Sequence, residues 1–277
     1  MSKVTTKPIA PASRPIGIFD SGIGGLTVAN AIQKALPNES IIYFGDTAHL
    51  PYGDKSPDSI KYYSIRIAQF LLQQHCKMIV IACNTASSFA YETVKDFIGG
   101  QIPVVNVIDP VVEHVTKSKK SRKIGVIGTK GTIKSDIYAK KIHVINKQLD
   151  VASLATPLLA PMIEEGFFNN KISRTVIASY LGSRKLSKID SLILACTHYP
   201  LIKQEVSDYY DTDVEIVDSA GVVAEHVKKT LKGKRLLATK RKPVHRFYVS
   251  DFTKSFEEST KYFFKNKIHL EKKDLWM

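Results

Sequence analysis

Two cysteines carry the chemistry that this sequence can do. Cys83 stands in Ile81-Ala82-Cys83-Asn84-Thr85 and Cys196 in Leu194-Ala195-Cys196-Thr197-His198, so one phrase is written twice, each time with a thiol closing an apolar run. A free thiol has a pKa of about 8.5 and stays mostly protonated at neutral pH unless a helix N-terminus or a neighbouring base helps to remove the proton. Two equivalent thiols suggest a two-sided acid/base site. A cysteine after an apolar strand is also a common inert core residue. Its company argues for chemistry here: Asn84 and Thr85 follow one thiol, Thr197 and His198 the other, and a structural thiol needs none of these hydrogen-bonding groups. His198 either caps the helix that follows or is the base that keeps Cys196 exchangeable. Cys76, within His75-Cys76-Lys77, lacks such a setting and reads as structural.

The elements that must position these thiols repeat as well. Ile16-Gly17-Ile18-Phe19-Asp20-Ser21 is echoed by Ile124-Gly125-Val126-Ile127-Gly128-Thr129, and Val111-Val112-Glu113-His114-Val115 by Val222-Val223-Ala224-Glu225-His226-Val227. Three landmarks in one order imply two related halves. Apolar runs over 15–19, 41–44, 78–82 and 104–108 predict buried strands, with helices over 26–36, 59–75 and 85–97 between them. In the second half, strands over 124–127, 151–154, 191–194 and 214–217 alternate with helices over 133–142, 173–186 and 200–209. Such alternation predicts an α/β fold of two pseudo-symmetric domains with mainly parallel central sheets and a site between them. We read 15–110 plus 219–277 as the first domain, with C-terminal helices returning to it, 111–218 as the second, and 1–14 as a flexible tail. In parallel sheets ligands sit beyond the carboxyl ends of strands, where this reading puts Asp20, Asp46, Cys83, Asp109, Thr129, Cys196 and Asp218.

Composition narrows the function classes. A chain of 277 residues, 44% hydrophobic and 24% charged, can bury a full core. No apolar run approaches the roughly 20 residues of a membrane-spanning helix and the start lacks the apolar segment of a signal peptide, so the expected compartment is the cytoplasm. Three cysteines without metal-type spacing argue against a disulfide framework or a structural metal site. The net charge of +14 gathers in 117–123 and 228–246. Neither run is interleaved with aromatic residues for base stacking, so both read as solvated surface and nucleic acid is not an expected partner. The turn Asp20-Ser21-Gly22-Ile23-Gly24-Gly25 lacks the Walker lysine and the order of a dinucleotide loop, and its aspartate would repel phosphate. Its backbone N–H groups suit a carboxylate better. Asp46 and Asp218 can be plain helix caps, and Tyr52 a packing residue, although Gly53 beside it frees backbone for close approach.

Together these motifs carry a resemblance. Asp20 to Leu26, Gly45-Asp46, Pro51-Tyr52-Gly53, Cys83-Asn84-Thr85-Ala86, Gly128-Thr129 with Gly131-Thr132, Pro161 to Gly166 and Cys196-Thr197-His198-Tyr199-Pro200 resemble, in order, the bacterial glutamate racemases of the cofactor-independent aspartate/glutamate racemase superfamily. One departure is Thr156, where many members carry cysteine. The resemblance implies an isomerase without cofactor, a homodimer, that interconverts L- and D-glutamate for peptidoglycan. It implies that Cys83 takes the Cα proton of the D enantiomer and Cys196 that of the L enantiomer. Asp20 would assist the first, His198 and Glu164 the second. Ser21, Tyr52, Gly53, Asn84, Thr85, Thr129, Thr132 and Thr197, with Asp20 and His198, would bind the substrate. Glu164 rather than Glu165 follows from the family's Pro-x-x-Glu pattern alone. Three other readings stay open: a racemase of another acidic amino acid such as aspartate, a basic nucleic-acid-binding protein on a racemase scaffold, and an enzyme using one thiol as a nucleophile.

Overall fold

Runs of Ile, Val, Phe and Leu bounded by polar residues form strands buried on both faces, which is what a parallel sheet covered by helices requires. A computed structural model describes residues 10–118, 122–211, 213–239, 242–251, 254–264 and 268–276. The first half runs β1 (Ile16–Asp20), α1 (Leu26–Ala35), β2 (Ile41–Gly45), α2 (Pro57–Gln73), β3 (Met78–Ile81), α3 (Asn84–Ile98), β4 (Val104–Asn106) and α4 (Ile108–Lys117). The second runs β5 (Lys123–Gly128), α5 (Lys130–Ser135), α6 (Ile137–Ile145), β6 (Asp150–Ala155), α7 (Leu159–Glu164), α8 (Lys171–Leu181), β7 (Ser191–Ala195), α9 (Lys203–Tyr209) and β8 (Glu215–Asp218). The chain closes with α10 (Ser219–Gly233), β9 (His245–Val249), α11 (Lys254–Phe263) and β10 (Leu270–Lys272).

All strand pairs are parallel, in two sheets ordered β10-β9-β2-β1-β3-β4 and β6-β5-β7-β8. Counted within each half, both sheets share the order second, first, third, fourth, so the written repeat is a structural one. In each, the order reverses at the first and third strands, and that reversal opens a crevice at their carboxyl ends. Asp20 and Cys83 stand there in the first sheet, Thr129 and Cys196 in the second. One apolar cluster runs from Ile16 and Ile18 through Val28, Val111 and Val223 to Ile124 and Leu192, joining the halves, while Phe19, Phe44, Ile67 and Ile81 belong to a second cluster. Among the described residues no helix is long and apolar enough to cross a membrane.

Several expected elements are corrected. The fourth strand stops at Asn106 because its Oδ1 accepts from the N–H groups of Ile108 and Asp109 (both 2.8 Å) and starts α4 early. Asp109 is therefore in a helical first turn, paired with Lys141 at 2.7 Å, and not at a strand tip. The helix expected over 133–142 is broken at Asp136, whose φ of 56° cannot continue a right-handed helix. The C-terminal segment returns as two helices and two strands, not as helices alone: β9 pairs with β2. Its short aromatic run hid within a basic stretch. Of the expected tail, 1–9 lie outside the described residues. Pro11–Ser13 form a 3-10 turn whose Ala12 carbonyl accepts from Lys77 Nζ at 2.7 Å. The basic runs fall partly outside the described residues, at 119–121 and 240–241.

Candidate active site

The two repeated thiols face one cleft from opposite halves. It is a small cavity of about 60 Å³ lined by Ser21, Tyr52, Gly53, Cys83, Asn84, Thr85 and Thr129 with Glu164, Cys196, Thr197 and His198. Leu50, Pro51, Ala160, Pro161 and Ala195 complete the wall. The sequence reading did not assign these five to the site, although Pro51, Pro161 and Ala195 lie inside its motifs. Two expected site residues stand behind the wall. Thr132 Oγ1 is 3.1 Å from Thr85 Oγ1 and from Thr129 Oγ1, completing a hydroxyl triangle across the halves. Asp20 is fully buried at the end of β1.

The glycine-rich turn works differently from expectation. Its Gly22 and Gly25 N–H groups donate to Asp20 Oδ2 (3.1 and 2.9 Å), so the aspartate of the turn takes the amides expected for a substrate carboxylate. Burial raises the pKa of Asp20, against the lowering effects of His198 and these amides. Close approach needs the glycines. A Cβ on Gly24 would lie 2.5 Å from His198, and one on Gly53 would lie 2.9 Å from Thr129 Cβ.

The surroundings of the two thiols differ. Cys83 caps α3, its Sγ 3.4 Å from the Ala86 N–H and 3.6 Å from Ser21 Oγ. Burial first, then the nearby Asp20 carboxyl, pushes the Cys83 thiol up to about 12. Cys196 precedes a 3-10 turn over Tyr199–Ile202 and not the N-terminus of an α-helix, as had been expected. Its Sγ is 3.6 Å from His198 Nδ1, and His198 Nε2 is 2.8 Å from Glu164 Oε1. His198 makes no side-chain cap and is 5% exposed, and its two ring nitrogens lie between Cys196 and Glu164. Glu165 is exposed.

Around this core, neighbours that the sequence left unassigned hold the walls. Asp46 is no helix cap. Its carboxylate accepts from Tyr52 Oη (2.7 Å) and Ser250 Oγ (2.8 Å), fixing Tyr52 in the wall. Asp218, by contrast, does cap α10 and pairs with Lys203 at 2.6 Å. Thr27 Oγ1 donates to the Thr197 carbonyl at 2.9 Å, tying α1 to the second thiol's loop. Thr156 is buried with its Oγ1 2.7 Å from Tyr199 Oη, a packing role. Partners 43 to 204 residues apart, as in Thr156 with Tyr199, Thr27 with Thr197 and Asp46 with Ser250, carry no local signal. Among the described residues no group of three or more His, Cys, Asp or Glu side chains is set to hold a metal ion.

The description Asp/Glu/Hydantoin racemase belongs to a family model that matches residues 24–227. The chain belongs to the Asp/Glu/Hydantoin racemase family. The glutamate racemase of Geobacter metallireducens is 44% identical over 244 residues, covering 88% of this chain and 90% of that protein. The crystal structure of glutamate racemase from Francisella tularensis in complex with D-glutamate is 39% identical, with a TM-score of 0.90 over 96% of this chain and 99% of that one. That of Thermus thermophilus, in complex with β-chloro-D-alanine, is 33% identical, with a TM-score of 0.86 over 95% and 98%. This racemase is accordingly an isomerase of the glutamate racemase type.

One pH dependence follows for the racemase. Burial pulls the His198 pKa down, but Cys196 and Glu164 outweigh it and hold it well above 6.5. A raised folded pKa contributes stability that is complete below the unfolded value of about 6.5 and fades as pH rises through the folded value. Glu164→Gln is therefore expected to melt roughly 2–4 °C below wild type near pH 6, the shift that about 1 kcal/mol gives at this size. The gap should narrow at alkaline pH. Melting curves across pH check this, and a gap that widens with pH would contradict it.

Proposed function

We propose that this chain interconverts L- and D-glutamate by proton transfer between Cα and two thiols, without cofactor. The observation that carries the reading is the cleft itself, with Cys83 and Cys196 at equivalent strand ends of two related halves. Racemisation removes a weakly acidic Cα proton from one face and returns a proton to the other. A single base fixed in the wall reaches one face of a planar carbanion, whereas two bases on opposite sides reach both. From L-glutamate, Cys196 takes the proton, with His198 and Glu164 stabilising the charge that develops on sulfur, and Cys83 gives its own proton to the opposite face. Its raised pKa suits Cys83 to hold that proton. From D-glutamate the roles reverse. The substrate's ammonium, a positive charge that favours a thiolate, helps Cys83 to release its proton, while the nearby Asp20 carboxyl holds that proton on sulfur for delivery in the other direction.

Ser21, Tyr52, Gly53, Asn84, Thr85, Thr129, Thr132 and Thr197 supply the polar groups that hold the substrate's carboxylates and ammonium. Their donors stabilise the charge that grows on the α-carboxylate as the proton leaves. Glutamate rather than aspartate rests on the relatives' activity. We further assign 15–110 with 219–277 to one domain and 111–218 to the other, and place the enzyme in the cytoplasm as a homodimer that supplies D-glutamate for peptidoglycan.

Circular dichroism of single enantiomers, with no pyridoxal phosphate or metal added, tests the reading. Both enantiomers of glutamate should decay to the racemate, and aspartate should decay far more slowly. Faster decay of aspartate, or a requirement for pyridoxal phosphate, would overturn it.

A further inference from the structure

Tyr138 belongs to the first turn of α6 in the second half of the chain, yet its partner is in the first half. It is 3% exposed, and its Oη donates to Asn84 Oδ1 at 2.6 Å. Asn84 opens α3 directly after Cys83 and lines the cleft. Its Nδ2 is buried and has no hydrogen-bond partner among the described residues. An amide that is satisfied at one end and unsatisfied at the other, in the wall of a site for a dicarboxylate, is a donor prepared for a carboxylate oxygen.

The two ends of an asparagine amide have nearly the same shape, so packing alone does not choose which end faces the cleft. The phenol does choose. Burial, with Asp109 and Cys196 nearby, raises the Tyr138 pKa, so the phenol keeps a proton that needs an acceptor, and Asn84 Oδ1 is that acceptor. With the amide reversed, the phenol oxygen could accept from the NH₂ group, but its buried hydrogen would lose its acceptor and the carbonyl oxygen would meet the substrate's negative charge.

We propose that Tyr138 is a positioning residue, whose phenol fixes the Asn84 amide with its NH₂ end available to a substrate carboxylate. The proposal rests on the reading of Asn84 as a substrate-binding residue. Through it, α6 of one half sets the binding chemistry at α3 of the other. The break at Asp136, immediately before α6, is what places Tyr138 in a first turn instead of mid-helix.

The test is a double-mutant cycle in steady-state kinetics with Tyr138→Phe, Asn84→Ala and the double variant, with melting curves to confirm folding and Asn84→Ser as the alternative should alanine not fold. Tyr138→Phe keeps the ring and removes one hydroxyl. It should raise KM for both enantiomers roughly tenfold, the ratio that about 1.4 kcal/mol gives, and change kcat less than about twofold. In the Asn84→Ala background the same substitution should change KM less than about twofold. Equal factors in both backgrounds, or an unchanged KM for Tyr138→Phe alone, would overturn the positioning role while leaving Asn84 in the site. An unchanged KM for Asn84→Ala would instead remove Asn84 from the site, and the proposal with it.

Discussion

Serine in place of Cys83 is expected to slow glutamate racemisation by roughly 10³-fold, and serine in place of Cys196 to do the same, since positioned acid/base groups contribute about 10²–10⁴-fold each. Serine is nearly isosteric with cysteine, so both cleft walls should persist. What is lost is a group acidic enough to exchange a proton with Cα. Each variant should lose kcat/KM by the same factor in both directions, because the enantiomers are equally stable and the equilibrium constant is one. Their different surroundings should appear in kcat and KM taken separately. Cys83 has Ser21 and Asp20 nearby, and Cys196 has His198 and Glu164. Progress curves followed by circular dichroism from each pure enantiomer measure this. One variant inactive and the other fully active would fit a single nucleophilic thiol instead.

Alanine in place of Gly45 should give the largest loss of stability of any one-methyl change near the site. Its Cβ would overlap the Gly22 carbonyl oxygen. That carbonyl is held by Tyr43 Oη at 2.7 Å, and the Gly22 N–H donates to Asp20, so neither end of the turn can move freely. Overpacking of this kind costs about 1–3 kcal/mol, and the upper end applies because backbone, not a flexible side chain, must yield. Activity should fall with it, because the displaced turn carries Asp20 and Ser21. Gly221→Ala in α10 is the control. Among the described residues, no atom beyond its chain neighbours and the nearby backbone of its own helix lies within 4 Å of its added methyl, and the change should stabilise by up to about 1 kcal/mol. Urea denaturation midpoints separate the two. A Gly45→Ala midpoint equal to that of wild type would show that the turn is not wedged as described.

Much of this arrangement was legible in the sequence because the repeat is literal. The doubled cysteine phrase foretold two equivalent strand ends, and the shared strand order bears that out. The buried parallel strands were legible as continuous apolar runs. Asp109 was misplaced because Asn106 starts the helix through its side chain, an effect that hydrophobic periodicity does not register. The two C-terminal strands were missed because Phe247, Tyr248 and Val249 form a short run after a long basic one. In the cleft, the residue types were readable and their neighbours were not. That Asp20 would take the turn's own amides, or that Asp46 would hold Tyr52, depends on contacts made only once the chain has folded.

The central claim is that two different groups handle the proton on the two faces of Cα. It is tested most directly by starting from protiated L-glutamate in deuterium oxide and separating the enantiomers early in the reaction. The two-thiol account predicts that D-glutamate carries deuterium at Cα from the first turnovers, delivered by Cys83, while recovered L-glutamate keeps its protium. D-glutamate that retains the original protium, or deuterium appearing in L-glutamate as readily as in D-glutamate, would mean that one group serves both faces and would contradict it.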